Sequence, residues 1–251
     1  MHLGNEAVTL ECAAFGCAVA SLGVGYSGWL ARRATQSSLL KAAALGSLVF
    51  AAQMLNVPVL AIASAHFVGG VLLAELLGPA LGVLTMSTVL LLQAVLLSDG
   101  GLAALGINVL NMALLPTGTW LLVRRAGATR WLSLSAASML SIAGAVLLIA
   151  GEVAWGRSSS ELAQWSSFVA SLALNHLPVL GLEAILSVSL VVLWQRLEST
   201  EPAAVWRLPS VTIATALLLL AIALTLSSSL PDGYESAAQA ANMEWLLAAA
   251  P

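Results

Sequence analysis

Seven predominantly apolar stretches, at about 10–31, 39–58, 82–98, 102–123, 131–153, 176–195 and 208–229, occupy most of this chain, and an eighth at 66–79 is shorter. Each long stretch approaches the roughly 20 residues that, at about 1.5 Å of rise per residue, cross about 30 Å of hydrocarbon. A lipid-spanning segment must satisfy its own backbone polar groups, and an apolar run of this length does so as a helix. Only 8% of the 251 residues are charged and 60% are hydrophobic. A soluble domain carries roughly 25% charged residues, so this chain could not cover a water-facing surface. The fold class is therefore all-α: a polytopic helical membrane protein with about seven core transmembrane helices, one of them short, plus one C-terminal helix. The short stretch covers only about 21 Å and ends in Gly78-Pro79, a turn signal. It reads as a short helix opening at His66, or as a re-entrant segment lining a cavity.

The nine basic residues order these spans. Arg32, Arg33, Lys41, Arg124, Arg125, Arg130, Arg196 and Arg207 fall on one side when eight spans are counted, and Arg157 alone falls on the other. The positive-inside rule then puts both termini outside a multi-pass protein of the plasma or inner membrane. Residues 154–175 read as an outer loop with a surface helix around Glu161 to Leu174, and residues 230–251 as a polar tail. The first six residues are polar and slightly acidic, unlike a secretory signal, so Met1 is expected as the mature N-terminus. So few basic residues exclude a nucleic-acid footprint of the usual kind. Cys12 and Cys17, on one helix, read as packing residues. In the first span, Ala14 with Ala18, Gly16 with Ala20, and Ser21 with Gly25 form small-residue rows that allow close helix contact.

This topology brings all three histidines, His2, His66 and His176, to the outer end. The α-amine of Met1, the Met1–His2 peptide nitrogen and the His2 imidazole can close fused five- and six-membered chelate rings. One place in a square then remains for a fourth nitrogen. Such a nitrogen set suits Ni²⁺, Cu²⁺ or low-spin Co²⁺, whereas Mg²⁺ and Ca²⁺ prefer oxygen. Glu183 lies seven residues after His176 and so on the same helical face. An acid inside a span is expensive, and Glu183 reads either as orienting a ligand or lining an ion path, or as a hydrogen-bonded packing residue. Glu75 reads as packing. Gln53, Asn56, Gln93, Asn108 and Asn111 are polar amides, candidates to face inward, that can tie helices together or support a ligand from behind. No GxxxxGK[ST] loop, HExxH pair or GxSxG elbow occurs, so any ATP-driven step needs another polypeptide.

Several stretches together resemble the CbiM/NikM family, the substrate-specific membrane components of energy-coupling-factor transporters for cobalt and nickel. They are Met1-His2, Ala52-Gln53-Met54-Leu55-Asn56-Val57-Pro58, Ser64-Ala65-His66-Phe67-Val68-Gly69-Gly70, and the run from Asp99-Gly100-Gly101 to Asn108-Val109-Leu110-Asn111-Met112. His176-Leu177-Pro178 followed by Glu183 is similar to the family's late helix. The resemblance implies that the N-terminal segment folds inward to bind the ion. The metal ligands it implies are the Met1 amine, the His2 amide and imidazole, and the His66 imidazole. Asn56, Gln93, Asn108, Asn111, His176 and Glu183 are candidates for the surrounding shell or the ion path. Ser229-Leu230-Pro231-Asp232-Gly233-Tyr234-Glu235 looks like a PDGLE-type accessory segment. The expected division is a metal-capturing domain over 1–200 and an accessory segment, one span plus an external tail, over 201–251.

The expectation is thus a transporter subunit and not an enzyme: it takes Co²⁺ or Ni²⁺ as cargo, has no cofactor, and sits in the lipid bilayer. Its partners would be a coupling membrane protein and two cytoplasmic ATPase subunits, with the first span's small-residue rows as the coupling surface. A component of similar architecture for an organic micronutrient, or an integral membrane enzyme or assembly factor using His176, Glu183 and the amides, are the other readings.

Overall fold

The computed structural model describes residues 2–200 and 208–247, so Met1 and Arg207 lie outside the described residues. Helix α1 (Leu10–Ala31) starts where the Thr9 hydroxyl accepts a hydrogen bond from the Cys12 N–H, and α2 (Gln36–Gln53) where Thr35 does the same for Ser38. An antiparallel hairpin follows, β1 (Val57–Leu60) paired with β2 (Ala63–Ala65). The chain continues through α3 (Gly70–Leu77), α4 (Pro79–Leu97), α5 (Leu105–Arg125), α6 (Arg130–Ala154), α7 (Trp165–Thr200), α8 (Leu208–Leu226) and α9 (Gly233–Ala240). Among the described residues, α1, α4, α5, α6 and α7 are long and apolar enough to cross a membrane. With α2, the short α3 and the C-terminal α8 beside them, the molecule is an all-α polytopic membrane protein.

Successive helices run in alternate directions, which gives the bundle two chemically distinct ends. One end gathers the N-terminal segment, the β-hairpin, the α4–α5 loop and the C-terminal segment. The other gathers the basic residues of the α1–α2 and α5–α6 connections and the end of α7. There Lys41 meets Glu198 at 2.9 Å, and Arg130 and Arg124 meet Glu75. Arg157, the lone exception in the charge pattern, stands at the first end, just past α6.

Three elements differ from the sequence-based expectation. The segment 57–65 is a hairpin and not plain loop, because Ser64 pairs on its far side with Pro231: its N–H donates to that carbonyl at 2.8 Å. His66 does not open the short helix. It precedes α3 by four residues, and Gly69, held in the left-handed region at φ +79°, starts the helix instead. The surface helix expected around Glu161 to Leu174 is part of α7, which begins at Trp165 and runs through Pro178. His176 therefore lies about three turns inside α7. A proline at the head of an apolar stretch reads as a first helical residue. Here the preceding turns hold regardless, because Phe168 packs edge-on against Tyr234 at 5.9 Å and Asn175 donates to the Gly233 carbonyl at 3.1 Å.

The small-residue rows of α1 divide between two uses. Gly16 and Ala20 are buried, and a Cβ on Gly16 would lie 2.5 Å from Ile107 Cδ1, so this row packs against α5. Ala14, Ala18, Ser21 and Gly25 remain exposed on the bundle's outside.

Candidate metal centre

The first residues form an arm that folds over the mouth of the bundle and is held by backbone hydrogen bonds. Leu3 is clasped by the Asn108 amide, which accepts from the Leu3 N–H at 2.9 Å and donates to the Leu3 carbonyl at 3.1 Å. The Gly101 N–H donates to the same carbonyl at 2.9 Å, and Asn5 accepts from the Ala103 N–H at 2.9 Å. The α4–α5 loop must come close for this. Gly100 sits at φ +87°, and a Cβ there would meet Asn108 Nδ2 at 3.1 Å and His2 Cβ at 3.4 Å. Asn108 and Asn111 flank the start of a π-helical turn at Leu110–Leu114. Such turns insert an extra residue and are frequent at functional sites. Asn108 serves the arm, while Asn111 donates to Glu152 on α6 at 2.8 Å.

His66 is set by the loop between β2 and α3. The Glu183 carboxylate, reaching up from α7, accepts from the Val68 N–H and the Gly69 N–H, each at 2.8 Å. Gln53 donates to the Val68 carbonyl at 2.6 Å. The His66 Nδ1–H donates to the Phe67 carbonyl at 3.1 Å, so Nε2 carries the lone pair of the neutral ring. Burial pushes the His66 imidazole down to about 3, and neighbouring positive charge in the N-terminal arm adds to the push. The ring is therefore neutral near pH 7, as a metal-ligating imidazole must be.

Arm and loop bring His2 and His66 together. Their rings stack with centroids 5.2 Å apart and planes within 14°. His2 Nδ1 lies 3.0 Å from Asp99 Oδ1, and His2 Nε2 is buried with no hydrogen-bond partner among the described residues. Burial alone would raise the Asp99 carboxyl, but the hydrogen bond and charge of His2 hold it below the usual carboxylate range. The pair opens onto a cavity of about 560 Å³ that Asn56, Gln53, Asp99 and Asp232 also line. Gln53 Oε1 and Asn56 Oδ1 are likewise buried without a partner. Buried polar atoms of this kind are costly unless something binds them. The arrangement therefore offers two imidazoles, one carboxylate beside them, and a ring of acceptors: a site for a small cation. Among the described residues no three His, Cys, Asp or Glu side chains converge as a metal-holding group, so two side chains alone would need backbone nitrogens to complete a ligand set.

The remaining residues singled out from sequence have other places. Asn56 lines the cavity, and its N–H donates to Ser227 at 2.8 Å. Gln93 is fully buried at the π-helical end of α4, with both amide atoms lacking partners among the described residues. His176 donates to its own helix at Leu172 O, 2.8 Å away, and lies beneath Gly233. Asn111, His176 and Glu183 do not line the cavity. Three carboxylates reach it that the sequence does not single out: Asp99, Asp232 and Glu235. Asp99 lies in the Asp-Gly-Gly run, and Asp232 and Glu235 in the Pro-Asp-Gly-Tyr-Glu segment. An acid next to glycines at a span boundary is the available signal for the two aspartates.

The profile of a family described as "Cobalt uptake substrate-specific transmembrane region", CbiM, matches residues 2–202. The cobalt transport protein CbiM of Carboxydothermus hydrogenoformans is 30% identical over 184 residues, covering 70% of this chain and 74% of that one. A protein of Archaeoglobus fulgidus named for fused nickel transport, NikMN, is 42% identical over 114 residues, 45% of this chain and 38% of the other. The chain spans only 21–38% of the length of three such relatives. A crystal structure of a transition metal transporter shares the fold, with a TM-score of 0.66 at 24% identity over 80% of this chain and 95% of the other.

Proposed function

The chain belongs to the CbiM family, and from that membership and the geometry at its N-terminal arm we propose that it captures Co²⁺ or Ni²⁺ for uptake. The observation that carries this reading is the His2–His66 stack, 5.2 Å apart, made by residues far apart in sequence and opening onto a polar cavity. The ligand set we infer is the Met1 amine, the His2 amide nitrogen and imidazole, and His66 Nε2. The six-membered chelate ring needs His2 Nδ1, which faces Asp99 at 3.0 Å in the structure. Capture therefore entails turning that ring about Cβ–Cγ, which passes Nδ1 from the carboxylate to the ion. Asp99 then remains as a neighbouring negative charge that offsets the cation. Asn108 and Glu183 act from behind, one fixing the arm and the other fixing the His66 loop, as outer-shell partners do.

In this reading residues 1–200 form the metal-capturing domain, and 201–251 an accessory segment that supplies Asp232 to the cavity. The arm faces the outside of the plasma or inner membrane. After capture, the arm and loop 59–67 occlude the ion, and the helices reorient to release it inward. A coupling membrane protein and two cytoplasmic ATPases of the energy-coupling-factor type drive that step. The exposed Ala14–Ala18 and Ser21–Gly25 rows of α1 are the surface we assign to the coupling protein. Calorimetric titration of the purified full chain with Ni²⁺, Co²⁺, Mg²⁺, Ca²⁺ and a panel of vitamins tests the proposal. Tight binding confined to Ni²⁺ and Co²⁺ is expected. Binding of a vitamin without either metal would overturn it in favour of an organic substrate.

A further inference from the structure

Among the described residues, Arg157 is the basic residue that breaks the charge pattern, standing alone at the end of the bundle that holds the cavity. Its side chain is only 9% exposed. A charge so placed is expensive to bury and persists where its contacts compensate. Those contacts come from three separate segments. Nη2 donates to the Glu6 carbonyl of the N-terminal arm at 2.6 Å. The guanidinium carbon Cζ lies over the Trp245 ring of the C-terminal segment, 4.2 Å from its centroid. Nη1 stands 3.6 Å from Glu161, one turn on.

The two segments that Arg157 joins both reach the cavity. The arm brings His2, Gly4 and Asn5 to its wall, and the C-terminal segment brings Asp232, Leu246 and Leu247. The C-terminal segment is well fixed on its other flank. Asp232 caps α9 by accepting from the Tyr234 and Glu235 N–H groups, and Ser64 of the hairpin donates to Pro231. The turn Asn5–Ala7 and the turn Glu244–Leu246 touch each other beside the guanidinium. The stem under Arg157 is firm as well. Thr9 donates to the Trp155 carbonyl at 3.0 Å, and Phe15 packs on Trp155 with ring centroids 4.9 Å apart.

We propose that Arg157 is a positioning residue that clamps the ion-binding arm to the C-terminal segment, so that a captured ion exchanges with the outside only when this clamp opens. The inference rests on the capture reading above, but the clamp itself is a property of the metal-free protein. A planar, delocalised guanidinium can donate in its plane and stack on an indole face at the same time, which a lysine ammonium cannot. Arg157→Lys therefore keeps the charge and loses the clamp.

The test uses the full chain in detergent or nanodiscs, with Arg157→Gln, Arg157→Lys and Trp245→Leu beside the parent. Amide hydrogen exchange of residues 3–8 is measured without metal, and Ni²⁺ release to a chelator is measured by stopped flow. Each variant is expected to speed exchange in the arm by about tenfold, equivalent to about 1.4 kcal/mol of arm opening. Exchange in the core of α6 should stay at the parent value, which separates arm release from a fold defect. Ni²⁺ release should accelerate by a similar factor. Adding Trp245→Leu to Arg157→Gln should change exchange little further, because the guanidinium that stacks on the indole is already gone. Arm exchange within twofold of the parent in all three variants would overturn the clamp, whether or not Ni²⁺ binds. Failure of the parent to bind Ni²⁺ or Co²⁺ would instead overturn the capture reading, with the exchange result still deciding the clamp.

Discussion

The two ends of the bundle use buried polar groups in opposite ways. At the basic end, the Glu75 carboxylate, 5% exposed, is saturated: it accepts from Trp120 Nε1 and Arg130 Nε, each at 2.7 Å, and pairs with both Arg130 and Arg124. Lys41, Glu198 and Trp194 form a similar closed set. At the cavity end, His2 Nε2, Gln53 Oε1 and Asn56 Oδ1 are buried with no hydrogen-bond partner among the described residues, around an open volume. Saturated polar groups tie helices together and specify packing. Buried groups without a protein partner around a cavity are stabilised when a ligand arrives. The contrast supports the proposal that binding belongs to one end and structural pairing to the other.

Substitutions can break or sharpen that contrast, with Ni²⁺ affinity by calorimetry as the common measure. His66→Ala should weaken binding by more than about 100-fold, since it removes a direct ligand and not an outer-shell partner, whose loss costs about 10–100-fold. Retained affinity would remove the His66 loop from the site. Asn108→Leu frees the arm at Leu3 and should weaken binding by about 30-fold. Glu183→Gln keeps one acceptor oxygen but sets an amide N–H against a backbone N–H, for a loss of about tenfold. An unchanged affinity there would make Glu183 a packing residue, the bland reading of an acid in a span. Gly100→Ala strains a backbone at φ +87° and crowds His2, and should cost about fivefold, or about 1 kcal/mol. Glu75→Gln, at the far end, should leave affinity within about twofold while lowering unfolding free energy by about 2 kcal/mol, read as thermal stability in detergent. A large loss of affinity from that change would erase the distinction between the ends.

Much of the helical frame was legible from hydropathy, because span length and apolarity are set by the bilayer and appear directly in composition. The alternation of basic residues was equally readable, and the described ones gather at the ends it implies. What sequence could not show was how irregular segments pair over distance. The hairpin at 57–65 follows an apolar span and reads as a loop, yet it is held by Ser64 meeting Pro231, 167 residues on. Glu183 reads as an intramembrane acid of open purpose until the loop after His66 is seen to place two N–H groups on it. The start of α7 at Trp165 rather than near His176 is not legible because no local signal marks Tyr234 and Gly233 as the supports of its first turns. Arg157 was visible only as an exception to a rule, since its three partners lie on three segments.

The proposed ligand set joins the Met1 amine and the His2 nitrogens to the His66 imidazole. Its most direct test is the Ni²⁺ affinity of purified protein carrying one extra residue before Met1, measured by calorimetry beside the unextended chain. The extension moves the free amine out of the chelate, and the account predicts that tight binding is lost while the fold and its thermal stability are kept. An affinity equal to that of the unextended protein would contradict the account and move the ion to another set of ligands.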